Sequence, residues 1–110
     1  MIHVEINKHA NGDICSFTLD GHADFNKRGK DIVCAGVSAV VFGTINAIME
    51  LTKVEPIVEQ GKKGGYLRCI IPDNLPLEIN NQVQLLLQGM FVSLQTIEMD
   101  YSKYIKITFQ

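Results

Sequence analysis

From Ile32 to Met49 the chain carries no Lys, Arg, Asp or Glu. A charge-free run of that length belongs either in a bilayer or in a protein core. Cys34, Gly36, Ser38, Gly43, Thr44 and Asn46 make it only mildly hydrophobic, and Lys30, Asp31, Glu50 and Lys53 bracket it closely. It therefore reads as a buried core helix, with no membrane as partner. Asp31 is a good N-cap, and the helix is expected to run to about Lys53. Gly36, Ala39, Gly43 and Ala47 recur every three or four residues, which predicts a smooth face that another backbone approaches closely. The two glycines lower helix propensity, so packing must compensate.

A helix with an apolar face needs a layer to bury it against, and the flanking sequence supplies one. Ile2, Val4 and Ile6 alternate with His3, Glu5 and Asn7, the period of a half-buried strand. Asn11-Gly12 marks a hairpin. Cys15, Phe17 and Leu19 then alternate with Ser16, Thr18 and Asp20, so a second strand pairs antiparallel with the first and ends near Gly21-His22. Residues 23 to 30 read as a loop. After the helix, Val54, Pro56 and Val58 alternate in a strand that Pro56 places at a sheet edge. Gly61 to Gly65 is a turn, and Tyr66 to Ile71 a strand with Leu67, Cys69 and Ile71 on one face. A second helix is predicted over about Leu75 to Met99, with Ile79, Val83, Leu86, Leu87, Met90, Leu94 and Ile97 on one stripe. Ile105, Ile107 and Phe109 close the chain as a last strand.

The order is β-β-α-β-β-α-β. It predicts an α+β fold, one mostly antiparallel five-stranded sheet with two helices packed on it. The 110 residues, 46% of them apolar and 20% charged, fit one domain over residues 1–110. A net charge of -2 disfavours direct nucleic-acid binding. The cysteines, Cys15, Cys34 and Cys69, are odd in number and far apart, so neither a disulfide framework nor a C-x-x-C site is expected. Met1 leads straight into a strand pattern, with no signal peptide, and reduced thiols in the cytoplasm are the simplest reading. Cys15 and Cys69, on apolar strand faces, read as core. His3 and His9 form no ligand spacing with Cys34, so no metal and no cofactor is expected.

Cys34 falls three residues after the Asp31 cap. Free amides and the positive dipole end of a helix favour a thiolate in the first turn. His22 closes the second strand, and the loop between can return it to the helix start. An imidazole there could take the thiol proton and later protonate a leaving amine. Spacing alone leaves the bland reading open: Cys34 among Val33, Ala35 and Val37 also fits a small core residue, and His22 a polar turn residue.

The stretch Gly21-His22-Ala23, followed by GKDIVCAGVSA over residues 29 to 39, resembles the ribosomal-processing cysteine protease family. The resemblance extends over the whole chain and its element order. It implies a cytoplasmic cysteine endopeptidase, a homodimer, that needs no cofactor. The implied substrate is the short N-terminal extension of a large-subunit ribosomal protein, number twenty-seven of that subunit, cut after an aromatic pair. Carried over by motif, Cys34 is the nucleophile and His22 the general base and acid. Asp31 caps the helix or orients His22. Ser38, one turn after Cys34, helps place the thiol, bonds the loop, or bonds back to the helix. Gly21 permits a tight turn before His22 or a backbone approach by substrate. Gly29 is a hinge candidate in a flexible substrate loop, and Phe25 contacts substrate or packs that loop down. Two other classes fit the composition. A non-catalytic module that binds a ribosomal protein would keep its function in Cys34→Ser, and a thiol-redox protein would need a partner cysteine near Cys34.

Overall fold

The computed structural model describes residues 1–21, 30–61 and 65–110, without the side chains of residues 30 and 31. Among them the elements run β1 (Ile2–Lys8), β2 (Ile14–Asp20), α1 (Lys30–Thr52), β3 (Ile57–Gln60), β4 (Tyr66–Ile70), α2 (Leu77–Tyr101) and β5 (Ile105–Phe109). This is the predicted order. The strands form one sheet in the order β3-β4-β2-β1-β5. The β1–β2, β2–β4 and β3–β4 pairs are antiparallel, and β1–β5 is parallel. The sheet is therefore mixed. The pairings make β3 run with β2, and β5 with β4. Parallel strands need a long crossover between them, and each helix supplies one.

One face of the sheet is apolar. Ile2, Val4 and Ile6 of β1, Leu67 and Cys69 of β4 and Ile105 of β5 are buried, while His3, Arg68 and Lys106 point the other way. The helices cover the apolar face and pack against each other. α2 contributes Val83, Leu87, Met90 and Leu94, the middle of the predicted stripe. It starts two residues later than expected because Pro76 occupies its N-cap, a residue that disfavours helical backbone just before itself.

α1 is long and apolar enough to cross a membrane by length and composition. Here only one face of it is buried: Val33, Val37, Val41, Ile45 and Ile48 join the core. The small residues do not make the expected close approach. A Cβ at Gly43 would meet nothing within 4 Å, and one at Gly36 would make only ordinary contact with Ile97. Branched side chains drive the packing, and the small stripe lies to the side and outward. The helix ends with Lys53 at φ 63, a left-handed residue that stops propagation.

Two strand readings shift. Pro56 precedes β3 instead of lying in it, although β3 is the edge strand as expected. In β2 the register slips: Asn7 faces Ser16, but Lys8 faces Ile14. Cys15 is the extra residue of a β-bulge, so the alternation breaks and Ile14 and Phe17 both reach the core. Cys15 is thus only partly buried, and its thiol donates to the Asn7 carbonyl at 3.3 Å.

Gln84 of α2 pins this irregular strand. Its Oε1 accepts from the Ile14 amide at 2.8 Å, and its Nε2 donates to the Ile14 carbonyl at 2.9 Å. Gln84→Leu strands both backbone groups in a part-buried seam. The expected loss, read by urea denaturation, is about 1–3 kcal/mol.

Candidate active site

The chain ends of β1, β2, β3 and β4 meet the first half of α1 at one side of the molecule. A cleft of about 250 Å³ opens there, lined by Cys34, Val37, Ser38 and Phe42 from α1 and by Leu19, Gln60 and Leu67 from the strand ends, with Ile2 beside them. Cys34, Ser38 and Phe42 are four apart and so share one flank of the helix. Leu19, Leu67 and Gln60 share one face of the sheet, because Leu19 pairs with Leu67 and Leu67 with Gln60.

Cys34 is half-buried against the core, with its flank open to the cleft. α1 begins at Lys30, one residue before the expected cap. Cys34 therefore stands just past the first turn, with its own amide engaged in the helix ladder. Asp31 lies inside the helix instead of preceding it, so the capping position is not Asp31. The side chain of Asp31, and His22, Phe25 and Gly29 altogether, lie outside the described residues.

Gly21, the residue before His22, has φ +131, and an added Cβ would collide with the Met1 carbonyl oxygen and stand 2.9 Å from the Ile2 Cα. Its amide donates to the Gly65 carbonyl at 2.8 Å. The backbone that crowds Gly21 is the chain's own first strand, a neighbour that neither the turn nor the substrate reading named. Sequence offered a glycine but not the identity of its neighbour.

Ser38 lines the same cleft. Thr44, Thr52, Ser93 and Thr96 each donate to the carbonyl one turn back, at 2.6 to 3.0 Å. Ser38 makes no such bond, and among the described residues its hydroxyl has no partner. The back-bonded role is therefore set aside. A hydroxyl one turn below the thiol is left to face the cleft.

The other two cysteines are differently placed. Cys69 is fully buried in β4, and burial pushes its thiol up to about 11. Near pH 8 only about one part in a thousand of it is thiolate. Cys15 is held at the bulge, at the far end of the sheet from this cleft. In the folded protein a small alkylating agent is expected to modify Cys34 first, Cys15 more slowly and Cys69 last, with Cys69 at least a hundredfold behind Cys34. Peptide mass mapping over time checks the order, and equal rates at all three would make Cys34 merely structural. All three thiols are free, and no group of three or more His, Cys, Asp or Glu side chains among the described residues could hold a metal.

Comparison with known proteins adds to this geometry. A family model described as cysteine protease Prp matches residues 1–106. The chain is 44% identical over 108 residues to the ribosomal processing cysteine protease Prp of Bacillus subtilis, covering 98% of this chain and 96% of that one. It is 42% identical over 110 residues to the Staphylococcus aureus protein of the same name, with both chains covered in full. The crystal structure of an essential ribosomal processing protease Prp from S. aureus, in complex with a substrate peptide, superposes with a TM-score of 0.88 at 41% identity over the whole of both chains. The same protease with a covalently linked product peptide gives 0.86 at 42% identity, again with full coverage of both. With fold, identity and coverage agreeing along its length, the chain belongs to the cysteine protease Prp family.

Proposed function

We propose that this protein is a cytoplasmic cysteine endopeptidase that removes the short N-terminal extension of a large-subunit ribosomal protein, number twenty-seven of that subunit, cutting after an aromatic pair. The observation that carries the reading is Cys34, a half-buried thiol on the wall of an apolar cleft, within a chain that aligns end to end with ribosomal processing proteases. The covalently linked product peptide on the S. aureus relative supports a covalent route.

In this route the Cys34 Sγ attacks the carbonyl carbon of the scissile bond and His22 takes the thiol proton. The tetrahedral intermediate collapses to a thioester as His22 protonates the departing amine. Water, deprotonated by His22, then hydrolyses the thioester and frees the thiol. The oxyanion draws its donors from groups around Cys34, and the Ser38 hydroxyl, which lines the same cleft, is a candidate for one. The test is intact-mass spectrometry of the extended ribosomal protein after incubation with the enzyme. A single product lacking the extension is expected, and an unchanged precursor would refute the assignment. A non-catalytic binding module would retain the precursor uncut and would tolerate Cys34→Ser.

The proposal includes a homodimer. Leu85, Val92 and Met99 recur at sevens along α2 and are 73%, 58% and 84% exposed, an apolar seam that a second copy would cover. Light scattering is expected to give twice the 12.3 kDa chain mass. A strict monomer at high concentration would remove the dimer and leave the protease reading intact.

A further inference from the structure

A sheet that ends in solvent offers its outermost strands to other chains, because every second residue there turns its amide and carbonyl away from the sheet. The two ends of this sheet are β3 and β5. β3 spans only Ile57–Gln60 and follows directly on Pro56, so it presents little to pair with. β5 is longer and holds no proline. Its inward bonds identify its outward groups. The Ile2 amide donates to the Tyr104 carbonyl at 2.7 Å, and the Gln110 amide donates to the Ile6 carbonyl at 2.9 Å. Because β1 and β5 are parallel, the even-numbered residues of β5 bond β1, and Ile105, Ile107 and Phe109 direct their backbone groups outward.

The middle one of these three is not free. A carboxylate oxygen of Glu98, nine residues earlier on α2, accepts from the Ile107 amide at 2.7 Å in a part-buried contact. The sheet's own ladder does not use this amide, and a carboxylate is a stronger acceptor than a carbonyl. Its position matters as much as its strength. A second copy can pair with an edge strand when a two-fold axis sets the two strands antiparallel. Centred on Ile107, that register places Ile107 against its own counterpart and Ile105 against Phe109, and it engages every outward group of β5. The central amide of that register is the one Glu98 holds.

We propose that Glu98 is an edge guard: its carboxylate closes β5 to backbone pairing with a second copy of this chain, and removing it opens that edge. The seam of Leu85, Val92 and Met99 associates through side chains of α2, not through strand backbone, so the two kinds of association can be told apart.

The first measurement uses the unaltered chain at low concentration. The Ile107 amide is expected to exchange its hydrogen roughly tenfold or more slowly than the amides of Ile105 and Phe109, which have no partner among the described residues. Fraying of the strand end cannot produce a maximum between two faster neighbours. Protection at Ile107 no greater than theirs would overturn the guard.

Glu98→Ala then frees the amide. Light scattering over a concentration series is expected to show the variant associating roughly tenfold to a hundredfold more tightly than the unaltered chain, the effect of one charge-assisted hydrogen bond made available for pairing. At high concentration Ile105, Ile107 and Phe109 should become protected together. Glu98→Gln keeps an acceptor oxygen at the same reach and should behave as the unaltered chain. Unchanged association in Glu98→Ala would overturn the proposal, as would association that leaves the β5 amides exchanging. Glu98→Gln associating as strongly as Glu98→Ala would overturn it too, because charge and not the hydrogen bond would then keep the copies apart. If Glu98→Ala fails to fold, the exchange pattern of the unaltered chain decides.

Discussion

Cys34→Ala is expected to abolish cleavage of the extended ribosomal protein, lowering kcat/KM by about ten-thousandfold or more. Removing the nucleophile of a covalent hydrolase leaves only the binding and oxyanion contributions, and losses of that order follow. Folding should survive, because the side chain is half-buried and small and leaves little void. An unchanged melting temperature with no cleaved product is the expected pair of results. His22→Ala should bring a comparable loss, since a thiol without its base presents less thiolate and the departing amine lacks a proton donor. The outcomes separate the alternatives. Undiminished cleavage by Cys34→Ala would remove the covalent mechanism. Loss in Cys34→Ala with full activity in His22→Ala would keep the nucleophile and reassign the base.

Gly21→Ala is the second large effect, and it acts through backbone alone. The residue sits at φ +131, where an L side chain is strained, and its Cβ would collide with the Met1 carbonyl. Relief requires moving the start of β1, whose Ile2 amide is bonded to the Tyr104 carbonyl at 2.7 Å, or breaking the Gly21–Gly65 bond. Either movement disturbs the strand end that leads into His22 and the wall that carries Ile2. The expected cost is about 2–4 kcal/mol of stability. Activity should fall by about a hundredfold or more in the fraction that remains folded, because small misplacements of a catalytic group are expensive. Gly12→Ala is the control. Gly12 also has positive φ, +93, but a Cβ there meets nothing within 4 Å. It should lose about 1 kcal/mol and keep full activity. Equal behaviour of the two variants would show that Gly21 matters only as a turn residue.

Much of this architecture was legible in the residue pattern. Period-2 alternation located β1, β4 and β5, and the stripe from Ile79 to Ile97 identified the buried face of α2. These readings depend on neighbours within a few residues, which share one backbone geometry. Apart from shifted element ends at Lys30, Pro56 and Pro76, what the pattern left out is non-local. The bulge at Cys15 depends on which β1 residue faces it and on Gln84 reaching Ile14 from seventy positions away. The parallel seating of β5 beside β1 depends on where α2 delivers the chain. The small stripe of α1 was read as a contact face because size and spacing were visible and the partner was not.

The candidate site divides in the same way. Residue order by itself put a cysteine near the start of an apolar helix, a Gly-His pair at a strand end, and a serine one turn after the cysteine. It also carried the resemblance that singled out Cys34 and His22. The tertiary structure alone decided that Cys34, Ser38 and Phe42 line one open cleft with Leu19 and Leu67. It decided that Ser38 has forgone the helix bond its fellow hydroxyls make, and that Gly21 is glycine because Met1 lies against it. The reason is physical. Periodicity is set by torsions along the chain, whereas a cleft and a close approach are set by which distant segments share space.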